Sequence, residues 1–496
     1  MAINFYNEWM NTPRWWFNAN ANDDIYIGNM YGHLLDECHE DKSITIQLII
    51  LDQLPRHVYR NEYSKHILAY FLRKAIEVLH RLNNKQVYFD GLGVNDWIFH
   101  MLPLRHTNDV GIIHYVMAET WKRLSMNPCD KLLKRFLKAT YMRCPLTSQD
   151  MFWKEYVSDI KYPILRTRKA ILASKIGKEV YQKLLPFKHQ RLILSLSGGV
   201  DSMILSMILL ALKDVLDLDI RTVMINYGNR AEADDEEAFV VDWCMKSIGF
   251  PLITRKIHEI KRDICREYEL RDLYESYTRN VRYACYKQVG GKVLLGHNSD
   301  DTFENILTNI VQGKKHDNLK GMNHYSITDG IEFIRPMLNI KKTDIYEFAK
   351  EFEIPHLPDS TVAWCQRGII RDKIKPVLTE WDERCVPAFF ETSQIMTELY
   401  DVVHNQVIMY KDICVKGDGK WSLRFTNGAT LPKSKIFWRM FLVELSGIHI
   451  SNKSLMNLLD RIAHHSGLAK YHIELHKQIT LYMNQLEGLL EVIVNN

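Results

Sequence analysis

One turn constrains this chain more than any other segment: Ser197-Gly198-Gly199-Val200-Asp201-Ser202. Leu192, Ile193, Leu194 and Leu196 precede it as an apolar run of strand length, and an apolar run without Gly or Pro follows over 203–212. The first reads as a buried strand and the second as a buried helix. Gly198 and Gly199 permit backbone conformations that a Cβ forbids. The turn therefore opens a helix, where free N–H groups and the positive end of the dipole gather. Such a terminus holds phosphate oxygens, and Ser197 and Ser202 add hydroxyl donors. Asp201 would repel phosphate unless magnesium lay between them. The pattern G-x-x-x-x-G-K-S/T is absent, so this is not the P-loop. The plain alternative is a Gly-rich connection that binds nothing.

Composition narrows the class. The chain has 496 residues, 46% hydrophobic and 25% charged, ordinary values for a globular protein with room for about three domains. A net charge of +4 does not by itself mark a nucleic-acid binder, although it permits local basic patches. The nine cysteines are scattered and none forms C-x-x-C, which argues against a zinc site or a redox pair. Such thiols suit a reducing compartment. The first residues lack the basic and apolar regions of a signal peptide, and no apolar stretch approaches a membrane span. A cytoplasmic protein without a membrane partner is expected.

Periodicity divides the chain into three expected domains. Residues 1–180 read as all-helical, with apolar positions at helical spacing over 67–82, 110–124 and 132–142. Residues 186–380 alternate strands (220–226, 252–257, 293–296) with helices (231–247, 277–288). That rhythm predicts an α/β doubly wound parallel sheet, which binds ligands at the carboxyl ends of its strands. Residues 385–496 read as a small, mainly helical unit, with helices at 392–409, 436–446 and 454–463. Its tail, 471–494, alternates apolar and polar residues and breaks at Asn484 and Gly488, as in a hairpin or meander.

Further motifs carry charge. The segment from Leu295 to Asn305 again follows a strand and opens a helix. Its Asp300, Asp301 and Glu304 fall within one helical turn. Alone they would complement the dipole; beside a phosphate loop they become candidate magnesium ligands with Asp201. Arg279 and Arg282 lie three apart on a predicted helix and could clamp a phosphate or carboxylate, or form a solvated face. Arg335-Pro336-Met337-Leu338 leads to Lys341-Lys342. Pro358-Asp359-Ser360-Thr361 precedes Arg367, Arg371, Lys373 and Lys375, a cluster suited to an RNA backbone or to a plain charged helix. In the first region, Asp52, Gln53, Arg56 and His106 form either a polar site or a buried ion pair that fixes helix packing.

The turn at 197–202 resembles the pyrophosphatase loop of the N-type ATP pyrophosphatases, the PP-loop proteins, which cut ATP between the α- and β-phosphates. The ordered set of motifs resembles the tRNA(Ile)-lysidine synthetases over residues 186–496. It comprises the loop, Arg279-x-x-Arg282-Tyr283, His297-x-x-Asp300-Asp301-x-x-Glu304, Leu319-Lys320-Gly321-Met322, Arg335-Pro336-x-Leu338, and Asp359-Ser360 with Arg367-x-x-x-Arg371. The resemblance implies a ligase using ATP and Mg2+. The C2 carbonyl of the wobble cytidine of isoleucine tRNA (CAU anticodon) would attack the α-phosphate, and free L-lysine would then displace AMP to give lysidine. It also implies roles. Ser197, Gly198, Gly199, Val200, Asp201, Ser202 and His297 would bind ATP. Asp201, Asp301 and Glu304 would hold Mg2+ or the lysine amine. Arg279 and Arg282 would steer the base or adenylate. Arg367, Arg371, Lys373 and Lys375 would touch tRNA, and the unit after 385 would bind substrate.

The sequence departs from that pattern at Asn226-Tyr227-Gly228, where Asp-His or His-His is usual, and at Thr302, Asn305, Thr361 and Gly368. A tRNA thiolase of the same superfamily is the nearest rival, disfavoured by the lack of C-x-x-C. An inactive tRNA-binding scaffold is another, disfavoured by the intact Asp201, Asp301 and Glu304. Finally, Trp15-Trp16-Phe17, Leu51-Asp52-Gln53-Leu54-Pro55-Arg56 with Tyr59-Arg60, and Leu102-Pro103-Leu104-Arg105-His106 resemble an uncharacterised helical family with an LDQ-x-PR signature and a tetratricopeptide-like (TPR-like) fold. That resemblance implies a fold and no particular activity; tetratricopeptide-like helices often bind partners, so a docking module for a protein partner is expected.

Overall fold

The apolar run before the turn becomes the centre of a seven-stranded sheet. Its strands are β1 (Trp153–Tyr156), β2 (Arg191–Ser195), β3 (Asp219–Asn226), β4 (Leu252–Lys256), β5 (Lys292–Leu294), β6 (Tyr325–Thr328) and β7 (Ile331–Ile334), in the order β1-β4-β3-β2-β5-β7-β6. β4, β3, β2, β5 and β7 are parallel neighbours; β1 and β6 close the edges antiparallel. The strand order reverses between β2 and β5, the point where doubly wound sheets bind their ligands. This computed structural model describes residues 2–17, 19–37, 39–60, 65–82, 85–144, 153–158, 167–311, 321–358, 366–417, 419–425, 431–464, 470–484 and 487–494.

Side chains alternate between the two faces of the sheet, as the pleat requires. Leu192 and Leu194 of β2, Ile220 and Met224 of β3, and Leu294 of β5 enter one core. The helix Val200–Leu216 packs there, buried along most of its length. Ile193, Val223 and Val293 enter the opposite core with Tyr277 and Tyr286 of the helix Arg271–Val289. That core is continuous with the N-terminal helices through Trp97, Phe136, Leu137 and Tyr141. The ring centroids of Tyr141 and Tyr277 are 4.9 Å apart, and the Tyr141 hydroxyl donates to the Glu259 carbonyl at 2.6 Å. Lys138 meets Asp272 at 2.6 Å. The helical N-terminal region thus covers one face of the sheet.

Two expectations change. Residues up to 180 were expected to be helical and separate, but β1 pairs with β4, and Ile171, Ile176, Val180 and Leu184 join the sheet's core. A four-residue edge strand, Trp-Lys-Glu-Tyr, is too short to show a period. The C-terminal unit holds the expected helices, Cys385–Asp412, Lys435–Ser446 and Asn452–His464, but also more strand than its mainly helical reading implied. β8 (Val415–Gly417), β9 (Lys420–Arg424), β10 (Lys470–His476), β11 (Ile479–Asn484) and β12 (Leu489–Val494) form an antiparallel sheet ordered β10-β11-β12-β9-β8. The predicted meander is its β10–β12 half; β9 extends it by pairing with β12. Trp438, Phe441, Leu481 and Val492 share its core. Among the described residues no helix is long and apolar enough to cross a membrane.

Candidate active site

Ser197 leaves β2 as the chain turns. Gly198 adopts φ +81°, and a Cβ there would lie 2.6 Å from Leu357 Cδ1. Leu357 N donates to the Gly198 carbonyl at 2.9 Å, so the loop is strapped from outside. Gly199 caps the following helix. Ser202 faces inward: its hydroxyl accepts from Ser197 N at 3.2 Å and donates to the Gly199 carbonyl at 2.9 Å. It thereby shapes the loop, while Ser197, Gly199, Val200 and Asp201 line a cleft of about 970 Å³.

The turn after β5 packs directly on this loop. A Cβ on Gly296 would come within 3.1 Å of the Asp201 carbonyl carbon. Buried Asn298 ties the two turns together. Its Nδ2 donates to Asp201 Oδ1 at 2.9 Å, and its backbone N–H donates to Asp301 Oδ2 at 3.0 Å. Lys342 Nζ reaches Asp201 Oδ2 at 2.6 Å. Asp201 and Asp301 thus share one bridging residue, and both line the cleft. Magnesium at phosphates uses one or two carboxylates, water and the phosphates themselves. These two residues fit that description. Among the described residues no three His, Cys, Asp or Glu side chains gather into a metal cluster.

Glu304 does not join them. It is 2% exposed and faces Arg371, whose Nη2 lies 2.8 Å from Oε1, with Arg367 Nε at 4.0 Å from Oε2. Burial pushes its carboxyl above the ordinary glutamate value, and Arg371 opposes that shift. One turn earlier, Asp300 meets Lys375 at 2.7 Å. The acidic turn and the basic segment, assigned above to metal and RNA, therefore form two rungs of one ion-pair ladder. Opposite charges at matched four-residue spacings, 300/304 and 371/375, were the sequence signal for it. Arg367 and Arg371 also line the cleft, whereas Lys373 points to solvent.

Among the described residues, eight basic and four acidic side chains line the cleft. Most of the basic ones belong to no sequence motif: Arg230, Lys261, Arg262, Arg266 and Arg271 come from the loop after β3, from the helix Arg262–Glu267 and the residue before it, and from the start of Arg271–Val289. They lie too far apart in the chain to form a motif. Of the expected pair, Arg279 is exposed, while Arg282 is half-buried and hydrogen-bonded to Tyr227. His297 accepts from Arg335 Nε at Nδ1 (3.2 Å); burial and the Arg335 charge hold its pKa down to about 3, so it is neutral. In place of the usual Asp-His, Asn226 donates to Asp234 (2.9 Å) and Glu237 (2.8 Å) and accepts from Gly228 N (2.9 Å), fixing the loop beside the cleft. Lys320, Asp359, Ser360 and Thr361 lie outside the described residues. Asp52, Gln53, Arg56 and His106 come together, but away from the cleft lining.

Residues 172–378 match the family model of the PP-loop domain. The chain is 30% identical over 200 residues to a tRNA(Ile)-lysidine synthase of Chlamydia muridarum, covering 39% of this chain and 59% of that protein. It is 32% identical over 199 residues to one of Treponema denticola, covering 38% and 42%. The chain thus spans about half the length of these relatives. A solved U34-tRNA thiolase from Methanococcus maripaludis aligns at 16% identity and a TM-score of 0.38, over 47% of this chain and 80% of that one. Residues 172–378 are a PP-loop domain, and the chain has tRNA(Ile)-lysidine synthases among its homologues.

Proposed function

We propose that this chain is a tRNA-modifying ligase that adenylates C2 of the wobble cytidine of isoleucine tRNA and replaces AMP by lysine. The observation that carries the reading is the basic cleft at the switch point, with the 197–202 loop as its floor. A cleft with this charge excess suits two polyanions, a nucleoside triphosphate and an RNA phosphate backbone. The tRNA(Ile)-lysidine synthase relatives support the choice of base and amine.

In this reading the free amides at the start of Val200–Leu216 hold ATP phosphates. Asp201 and Asp301 hold Mg2+, which would neutralise the charge that builds on departing pyrophosphate. Lys342, paired with Asp201, stands where it can take over that carboxylate or a phosphate oxygen. The cytidine O2 attacks the α-phosphate and pyrophosphate leaves. The lysine amine then attacks C2 and the bond to AMP breaks. Arg282 orients the base or adenylate, and Arg367 and Arg371 meet tRNA while Glu304 positions them. The unit after 385 binds tRNA, and the TPR-like N-terminal helices dock a protein partner. Sulfur transfer fits less well. Among the described residues Cys129 is exposed and Cys385 and Cys414 are half-buried, but none lines the cleft; Cys144, Cys244, Cys265 and Cys285 are buried, and burial pushes the Cys244 and Cys265 thiols up to about 12.

The test is incorporation of radiolabelled lysine into isoleucine tRNA with a CAU anticodon. The expected result is incorporation that needs ATP and disappears in Asp201→Ala. Absence of incorporation with wild-type protein would reject the reading.

A further inference from the structure

The N-terminal helices hold a second charged cluster that the proposed reaction does not use. Asp52 is 2% exposed and accepts from Arg56 Nη2 at 3.0 Å, from His106 Nδ1 at 2.9 Å, and from Gln53. Arg105 is 8% exposed; its Nη2 lies 3.4 Å from His106 Nε2, and its guanidinium sits 5.0 Å from the Phe136 ring centroid. Arg143, exposed at the surface, lies within electrostatic reach of Arg105, Arg56 and Asp52. His106 is neutral: burial holds it down to about 4, with Nδ1–H donating and Nε2 accepting.

The charges do not balance. Among the described residues, Arg56 pairs with the one carboxylate, and Arg105 and Arg143 lie within its electrostatic reach, an excess of two positive charges. The hydrogen bonds do not balance either. Arg105 Nε and Nη1 and Arg56 Nε are buried without a partner among the described residues. A desolvated guanidinium left unpaired is expensive, and native proteins rarely keep one without an occupant. Helix packing alone needs only the Asp52–His106 contact, which ties segments 54 residues apart. Guanidinium forks match the oxygens of phosphate, and an excess of two matches a phosphate dianion. Arg56, with its side chain 26% exposed, and Arg143 leave the cluster open to solvent.

We propose that Arg56, Arg105 and Arg143 form a binding site for a phosphate dianion, either free or as the terminus of a phosphomonoester. The site is independent of the ATP cleft. The test is hydrogen exchange read by mass spectrometry on the full chain, with a non-hydrolysable ATP analogue saturating the cleft. Inorganic phosphate and phenyl phosphate are titrated in separate arms, against sodium chloride at equal ionic strength. The expected result is protection of peptides covering 50–58, 100–107 and 140–143. In Arg143→Gln, which alters an exposed side chain, half-protection should need about tenfold more ligand. Arg105→Gln should abolish protection; if that variant fails to fold, Arg105→Lys, which keeps the charge and loses the fork, should weaken it. Protection by inorganic phosphate alone identifies free phosphate, and protection by phenyl phosphate identifies an organic monoester. No protection in either arm, or protection unchanged in Arg143→Gln, would overturn the proposal.

Discussion

Replacing Arg371 by Met tests whether Glu304 serves as an ion-pair partner or a metal ligand. Glu304 is 2% exposed, and Arg371 makes its short contacts, Nε at 2.9 Å and Nη2 at 2.8 Å from Oε1. Oε2 has no hydrogen-bond partner among the described residues. Breaking a buried ion pair costs about 3–5 kcal/mol. Arg371 is 27% exposed, so part of its attraction is already screened, and Arg367 at 4.0 Å supplies some compensation. About 2 kcal/mol is expected, equivalent to roughly a 30-fold rise in local opening. The assay is hydrogen exchange of the helix Ser299–Val311, with urea unfolding alongside. Adding Glu304→Gln to Arg371→Met should recover more than half the loss, because the stranded charge is gone. The pH dependence follows from the raised carboxyl pKa. Above the unfolded glutamate value the unfolded chain ionises first while the folded chain keeps its proton. Glu304 therefore costs stability as pH rises through that window, and losing Arg371 deepens the cost. A loss within about 0.5 kcal/mol, the range of inert surface changes, or no recovery in the double variant, would refute the ion-pair assignment.

Gly198→Ala should weaken ATP binding about tenfold in a titration, since it adds a Cβ at φ +81° and 2.6 Å from Leu357. Gly330→Ala, also at positive φ but with open space around it, should leave ATP affinity unchanged. His297, held neutral with a pKa of about 3, contributes stability that is present above the unfolded histidine value and is lost as pH falls from there toward 3. Urea unfolding across that range should show the loss in wild type and a flatter profile in His297→Asn. Tyr141→Phe removes the hydroxyl that accepts from Trp121 and donates to Glu259, and should cost about 1 kcal/mol, read as faster exchange over Lys131–Tyr141.

The parallel sheet was legible because β2 and β3 are continuous apolar runs bounded by turn residues, and the loop was legible because strand, Gly-Gly and helix are consecutive. β1 was not legible, since its four polar and aromatic residues gain their strand identity from pairing with β4. Nor was β9, whose alternation runs for only five residues and matters only beside β12. At the site, local chemistry translated best. Asp201 and Asp301 do line the cleft. Less was legible where a side chain's setting depends on a partner distant in the chain. The Arg371 partner of Glu304, 67 residues away, is one such case. Asn298 and Lys342, which fix Asp201 from 97 and 141 residues away, gave no spacing signal. The basic wall from Arg230 to Arg271 was invisible for the same reason.

The fate of ATP at the 197–202 loop decides whether this chain adenylates tRNA. Full-length protein is incubated with α-labelled ATP and unmodified isoleucine tRNA, and the nucleotide products are separated. AMP and pyrophosphate are expected, dependent on the tRNA and on Mg2+, and absent in Asp201→Ala. Release of ADP and inorganic phosphate, or no cleavage at all in the wild type, would contradict it.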